Sequence, residues 1–141
     1  MLVPVSWLRD FAPFDDDVDA LVDTCNALGL VVEGVERVGA GIADIVVAKV
    51  LEVDRIEGAD KIRRVVVEHG AGPVQVVCGA WNFEAGATVA FAPVGAVLPG
   101  DFAIGKRKMK GVESNGMICS ERELQLGDDG AGIMLLDDSL V

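Results

Sequence analysis

The chain is poor in the residues that most often act in catalysis. Its 141 residues include one histidine, three cysteines and no tyrosine. His69 stands beside a glycine-rich turn, which favours a surface position over a catalytic base. Cys25, Cys78 and Cys119 form no Cys-x-x-Cys pair and no cluster with zinc-ligand spacing, which favours structural thiols over nucleophiles or zinc ligands. The sequence therefore predicts no catalytic residue, no metal ligand and no bound cofactor in this chain.

Long apolar runs and a targeting segment are also missing. No apolar stretch is long enough to span a bilayer. The N-terminus has no basic segment before an apolar core, and Asp10 arrives early, so a signal peptide is not expected. The odd cysteine count is typical of reduced thiols. These features predict a cytoplasmic protein with no membrane contact.

Positive charge is scarce and unevenly distributed. The chain has 12 basic and 23 acidic residues, a formal net charge of -11. Residues 1–40 carry eight acids and two bases, and residues 111–141 carry seven acids and one base. Residues 41–110 carry nine bases and eight acids. Since long-range attraction of RNA needs a positive field, binding would have to use a local patch in this middle segment.

The basic residues are densest in residues 106–110, which read KRKMK. If this segment is a strand, its alternation places Lys106, Lys108 and Lys110 on one face, about 6.6 Å apart. Such a repeat is suited to following a phosphate backbone. A lysine-rich strand can equally be a protected sheet edge, because Lys commonly blunts edges. The basic segment alone leaves both interpretations open.

Four segments resemble the tRNA-binding OB modules attached to some aminoacyl-tRNA synthetases. Residues 111–120 read GVESNGMICS and follow the lysines directly. They are preceded, in the order of the family, by GADKI at residues 58–62, VVCGAWN at 76–82 and APVGAVLPG at 92–100. Upstream, VSWLRDF at residues 5–11 and GLVVEGVE at residues 29–36 resemble the N-terminus of the bacterial phenylalanyl-tRNA synthetase β subunit. The resemblance covers essentially the whole chain and implies that it is a fragment of a longer subunit.

The resemblance and the residue pattern together predict a mainly β fold, α+β overall. Residues 1–40 are expected to form a strand-helix-strand piece of a discontinuous, incomplete α/β domain, with strands at 2–5 and 30–38 and a helix at 18–28. Residues 41–141 are expected to form a five-stranded OB-fold barrel. Its strands are predicted at residues 45–53, 63–68, 74–78, 88–92, 106–109, 116–119 and 132–136. Ser120 and Glu123 form a capping box that predicts a short helix through Leu124.

The resemblance also implies the residues that contact tRNA. Lysines would meet phosphates, and the segment from 114 to 120 would meet a sugar or an exposed base. The implied tRNA-binding residues are Lys61, Lys106, Lys108, Lys110, Ser114, Asn115, Met117 and Ser120. Met117 can equally belong to the barrel core.

Several other side chains are weaker candidates. Arg55, Arg63, Arg64 and Arg107 are interpreted as surface arginines. Trp81 replaces a smaller or polar residue of the family pattern and can stack on a base or pack against a neighbouring domain. Packing is the interpretation that the sequence slightly favours.

The resemblance implies a tRNA-binding and assembly fragment of a ligase that attaches phenylalanine to its tRNA. ATP and magnesium are implied for that parent enzyme, whereas the fragment alone is expected to be inactive. The implied partners are tRNA, the synthetase α subunit and the rest of the β subunit. The alternative is a structural protein-protein assembly module with little RNA affinity.

The first 40 residues are too few to enclose a core, although they are rich in large apolar side chains. We expect them to pack against the barrel, to pair with a second copy, or to remain partly disordered. Self-association is the outcome that we favour.

Overall fold

A computed structural model describes residues 1–14 and 17–141. The chain divides into two compact units, Met1–Arg37 and Val38–Val141. Within these described residues, no helix has the length and apolar character needed to cross a membrane.

The unit Met1–Arg37 contains two helices, α1 at Val5–Arg9 and α2 at Val18–Ala27. The carboxylate of Asp17 caps α2 by accepting hydrogen bonds from the backbone N–H groups of Asp19 and Ala20. At its other end Gly29 has a φ of +82°, and the N–H of Leu30 donates to the carbonyl of Cys25. A glycine in this conformation is a common helix stop. The predicted helix at 18–28 is confirmed.

The strands predicted at residues 2–5 and 30–38 are not formed. Val5 begins α1, and residues 30–37, all of them described, have no strand pairing. A strand needs a hydrogen-bonded neighbour, and the N–H of Val32 donates instead to Oδ1 of Asn26 at 3.0 Å. Apolar alternation in this segment was therefore not sufficient to predict a strand.

The unit Val38–Val141 consists of ten strands and a terminal 3₁₀ turn at Asp138–Leu140. The strands are β1 Val46–Ile56, β2 Ala59–Glu68, β3 Pro73–Cys78, β4 Thr88–Pro93, β5 Val97–Leu98, β6 Phe102–Ala103, β7 Arg107–Met109, β8 Val112–Ser114, β9 Gly116–Ile118 and β10 Leu135–Leu136.

These strands form a nearly closed barrel. The main sheet has the order β10-β4-β1-β2-β3, and β9 pairs with the C-terminal half of β4. The N–H of Asn115, between β8 and β9, donates to the carbonyl of Gln75 in β3 at 2.9 Å, which brings the two ends of the sheet together. The predicted mainly β fold with an OB-type barrel is confirmed.

Alternation along the long strands explains the core. Val65 and Val67 of β2 are fully buried, as is Val76 of β3, which pairs with Val65. Val89 and Phe91 of β4 complete the centre from the opposite side of the barrel. A β-branched side chain at every second position suits such a half-buried pleated surface, so the valine-rich composition is explained by the fold.

Candidate nucleic-acid interface

The basic segment forms a hairpin that joins β7 and β8. Met109 pairs with Val112, so Lys110 and Gly111 are the two loop residues. Their φ angles are +51° and +83°. A two-residue turn with positive φ at both positions matches the right-handed twist of the flanking strands, and glycine accepts that conformation readily.

Three of the four predicted lysines, Lys106, Lys108 and Lys110, are exposed on this hairpin, but they do not lie in one row along a strand. Lys108 lies within β7, Lys106 precedes the strand, and Lys110 is in the turn. The predicted repeat along a strand face therefore does not extend to Lys110, because its positive φ redirects the side chain. With Arg107, the hairpin still presents four basic side chains in a chain of net charge -11. Among the described residues, none of the three lysines makes a salt bridge.

A cleft of about 320 Å³ opens at the base of the hairpin. The hairpin contributes Arg107 and Met109 to its wall, and β3 contributes its last residues. The lining consists of residues 77–80, 102–105, 116–118 and 130–133 with Arg107, Met109, Ser114, Ser120 and Glu123. The cleft thus combines apolar surface, backbone polar groups and one charge of each sign, which suits an amphipathic group more than a metal ion.

Ser114 lies in the wall of this cleft but is buried. The N–H of Val77 donates to Oγ of Ser114 at 3.0 Å, and the Ser114 hydroxyl donates to the carbonyl of Gly116 at 3.0 Å. Both hydrogen-bonding functions of the hydroxyl are thus engaged within the protein. Ser114 connects β3 to the β8–β9 segment where the barrel closes.

Ser120 is also buried, and it forms the predicted capping box. Its N–H donates to Oε2 of Glu123 at 2.7 Å, and the N–H of Glu123 donates to Oγ of Ser120 at 3.3 Å. The predicted helix does not follow, because residues 121–125 form only a turn. Gln125 has a φ of +54°, which ends the helical direction after one turn.

The remaining predicted residues are better placed for contact. Asn115 is half-buried, and Met117 is half-buried in the cleft wall, where it also packs against the core cluster that includes Ala90 and Leu98. Both interpretations of Met117 therefore have support. Lys61 is exposed on β2, apart from the hairpin, near the Gly79 end of the cleft: a Cβ on Gly79 would lie 3.5 Å from the Lys61 carbonyl.

Arg63 and Arg64 differ from their interpretation as unremarkable surface residues. Arg63 is 3% exposed, and its Nη2 donates to the carbonyls of Ala80 and Phe83 at 2.9 and 3.0 Å. Nη1 of Arg64 forms salt bridges with Oε2 of Glu52 at 3.1 Å and with Oδ2 of Asp54 at 2.5 Å. The hydrogen bond to Glu52 is the largest cause raising the pKa of Arg64. The sequence missed these roles because two consecutive arginines are followed by three consecutive valines in β2, so the pattern does not reveal which face the core occupies.

Cys78 and Cys119 are buried, as predicted. Burial raises the pKa of the Cys78 thiol, and it raises that of Cys119 to about 12. Both therefore remain protonated near neutral pH, whereas nucleophilic cysteines have a lowered pKa. His69 is half-buried, with its ring 5.3 Å from that of Phe91. Across residues 1–14 and 17–141, no group of three or more His, Cys, Asp or Glu side chains is arranged to hold a metal ion.

Comparisons with known proteins agree with the expected family. The family described as "Putative tRNA binding domain" matches residues 45–140. "Phenylalanine--tRNA ligase beta subunit" of Syntrophotalea carbinolica is 46% identical over 96% of this chain and 17% of that protein. The protein of the same description from Geobacter metallireducens is 46% identical over 99% of this chain and 18% of its own length. The chain thus spans less than a fifth of these curated relatives.

Among solved structures, the MetRS related protein from Pyrococcus horikoshii aligns with 19% identity and a TM-score of 0.49. The alignment covers 67% of this chain and 80% of that one. The predicted resemblance to phenylalanyl-tRNA synthetase β subunits is confirmed by the two curated relatives.

Proposed function

Because the chain belongs to the family of tRNA-binding domains, we propose that it binds tRNA as part of a phenylalanine-tRNA ligase β subunit. One observation carries this proposal: an acidic chain of net charge -11 concentrates four basic side chains on one exposed hairpin beside a cleft. Charge collected in this way on a protein of the opposite sign suits the phosphate backbone of a nucleic acid.

The hairpin and the cleft have different parts in this proposal. Lys106, Lys108 and Lys110 pair with phosphates, since lysine acts as a flexible point charge. Lys61 adds a further phosphate contact from β2. The cleft then receives a ribose or an unpaired base, because single-stranded RNA exposes base faces and edges that a duplex hides.

The polar residues of the cleft divide into contacts and supports. Asn115 and Met117 are only half-buried and contact the RNA. Ser114 and Ser120 keep the cleft in shape through their hydrogen bonds to Val77 and Glu123. All eight residues implied by the family pattern thus act in binding, the two serines through position.

A titration of tRNA across ionic strength tests this proposal. If about four phosphates are neutralised, raising the salt from 50 to 200 mM weakens binding roughly 50- to 150-fold. The triple variant Lys106→Ala, Lys108→Ala, Lys110→Ala should bind weakly with a flatter salt dependence. The matched variant with arginine at the same positions should keep the dependence. Wild-type affinity and slope in the alanine variant would show that the hairpin only protects an edge.

A second candidate function is assembly of the β subunit with its partners. Large apolar side chains in Met1–Arg37 are exposed, among them Trp7, Phe11, Leu28, Leu30 and Val31. These residues suit contact with the rest of the β subunit or with the α subunit, because apolar patches on this scale usually mark interaction surfaces. Association through them would be insensitive to salt, which distinguishes it from RNA binding.

The catalytic activity of the whole ligase is expected to lie outside this chain. We infer that ATP and magnesium act outside this domain, in the cytoplasm, and that the isolated chain does not activate phenylalanine. Isotope exchange between pyrophosphate and ATP, measured with phenylalanine and the purified chain, should give no signal above buffer. Exchange that increases with the chain's concentration would contradict this inference.

A further inference from the structure

Trp81 is a half-exposed indole held beside two arginines. It directly follows Ala80, a cleft residue in the loop after β3, and is 47% exposed. The guanidinium of Arg63 lies 4.6 Å from the centre of the indole ring, and that of Arg55 lies 5.9 Å from it. Both distances are within the range of cation–π attraction.

The two arginines are direct cross-strand neighbours, since Arg55 of β1 pairs with Arg63 of β2. Like charges at such positions normally destabilise a sheet. Arg63 is compensated by Glu84, with Nη1 and Oε1 3.4 Å apart, and by two backbone carbonyls. In the part of the chain that the structure describes, Arg55 makes no ion pair. The pair therefore leaves an exposed positive charge beside the indole ring.

Arg63 also fixes the indole in place. Its guanidinium lies 4.7 Å from the ring centre of Phe83, which is buried, and its bonds to the carbonyls of residues 80 and 83 hold the loop around Trp81. An aromatic ring immobilised before binding loses little conformational freedom when a ligand stacks on it. The exposed indole is thus preorganised rather than freely rotating.

A nucleotide matches this arrangement better than an apolar protein surface does. Its base offers a π face to the indole, and its phosphate offers the anion that Arg55 lacks. An apolar protein surface would cover Trp81 but would leave Arg55 beside it without a counter-ion. The sequence slightly favoured packing, and the in-register arginine pair reverses that preference.

We propose that Trp81 is a stacking platform for an unpaired RNA base, with Arg55 binding the phosphate of the same nucleotide. This proposal rests on the tRNA-binding function and extends its site from the hairpin, through the cleft, to the loop after β3. One RNA strand can follow this path because Ala80 lines the cleft and Trp81 is the next residue.

Tryptophan fluorescence tests the platform directly. The chain has two tryptophans, so the variant Trp7→Phe leaves Trp81 as the reporter. Titrating this variant with tRNA, and separately with a short single-stranded oligoribonucleotide, should quench the emission to saturation. Trp81→Ala should weaken binding about 5- to 150-fold, as expected for one stacked base. Trp81→Phe should retain most of the affinity, because phenylalanine can also stack on a base. Circular dichroism of both variants would show whether a loss of affinity comes from misfolding.

The salt dependence separates the two residues of the platform. The loss in Trp81→Ala should be the same at 50 and 200 mM salt, because stacking releases no counterions. Arg55→Gln should instead reduce the slope of log affinity against log salt concentration by the amount expected for about one phosphate contact. Trp7→Ala serves as the control and should leave RNA affinity unchanged.

The outcomes distinguish a failure of the Trp81 platform from a failure of the proposed tRNA-binding function. Binding that depends on the lysines, with unchanged affinity in Trp81→Ala and no quenching, would overturn the platform alone. A wild-type chain that binds tRNA at neither salt concentration would overturn the tRNA-binding function and the platform together. If Trp81→Ala reduces self-association while RNA affinity is unchanged, Trp81 is a protein contact and the platform is wrong.

Discussion

Asn82 and Ile133 exchange two hydrogen bonds across the barrel wall. Nδ2 of Asn82 donates to the carbonyl of Ile133 at 2.9 Å, and the N–H of Ile133 donates to Oδ1 of Asn82 at 3.0 Å. The side-chain amide thus replaces a neighbouring strand. Gly132 makes room for it, since a Cβ there would lie 2.5 Å from Cγ of Asn82. This pair ties the loop after β3 to the segment before β10, beside the cleft.

Asn82→Ala should therefore destabilise the barrel. It removes both bonds and leaves the Ile133 backbone groups unpaired, a loss of about 1–3 kcal/mol. The free energy of unfolding in urea measures this effect. Asn115→Ala is the control, because the Asn115 side chain makes no hydrogen bond within the described residues. Equal stability of the two variants would contradict the assigned role of Asn82.

Gly116→Ala should be more damaging than an ordinary loss of a positive-φ glycine. Gly116 has a φ of +146°, and a Cβ there would lie 2.8 Å from the carbonyl oxygen of Ala92 and closer still to the Phe91 ring. Gly86→Ala is the matched control, because its φ is +93° but nothing lies within 4 Å. We expect about 1–2 kcal/mol for Gly86→Ala and a further 1–3 kcal/mol for Gly116→Ala. Thermal unfolding that ranks them in the opposite order would refute the close approach of β9 to Phe91.

The buried thiols should make the fold less stable in alkali. The pKa of Cys119 is raised to about 12 by burial, whereas an unfolded thiol titrates near about 8.5. Between these values the unfolded chain has released a proton that the folded chain retains, so stability falls as the pH rises. Urea midpoints from pH 7 to 10 should decline less steeply for Cys119→Ala than for the wild-type chain. Identical slopes would show that the fold does not keep the Cys119 thiol protonated.

The unit Met1–Arg37 should drive self-association of the chain. Phe11 is 89% exposed and Leu30 is 63% exposed, and burial of such side chains against a second copy is favourable. Sedimentation velocity should show a mass that increases with concentration, and the double variant Phe11→Ser, Leu30→Ser should remain smaller at the same concentrations. A strict wild-type monomer whose residues 1–37 resist proteolysis would contradict this prediction.

Local chemistry in the sequence determined much of the fold. Valine-rich segments between glycine-containing turns placed β2 and β3, and Asp17 with Gly29 bounded α2, because these signals act through nearby backbone groups. The Ser120–Glu123 cap formed as predicted for the same reason. The basic strand near residues 106–109 was also predicted from the sequence, whereas its partner β8 and the turn at Lys110 were not.

Only the tertiary structure decided which polar side chains face the solvent. Ser114 and Lys108 belong to the same hairpin, but closure of the barrel buries the serine against Val77 and leaves the lysine exposed. Arg63 and Arg55 are neighbours across β1 and β2, but one is buried and the other is not. Residues 30–37 lack a partner strand and therefore form none, despite their apolar pattern. In each case the outcome depends on contacts between residues distant in sequence, which pairing and burial determine and local propensity does not.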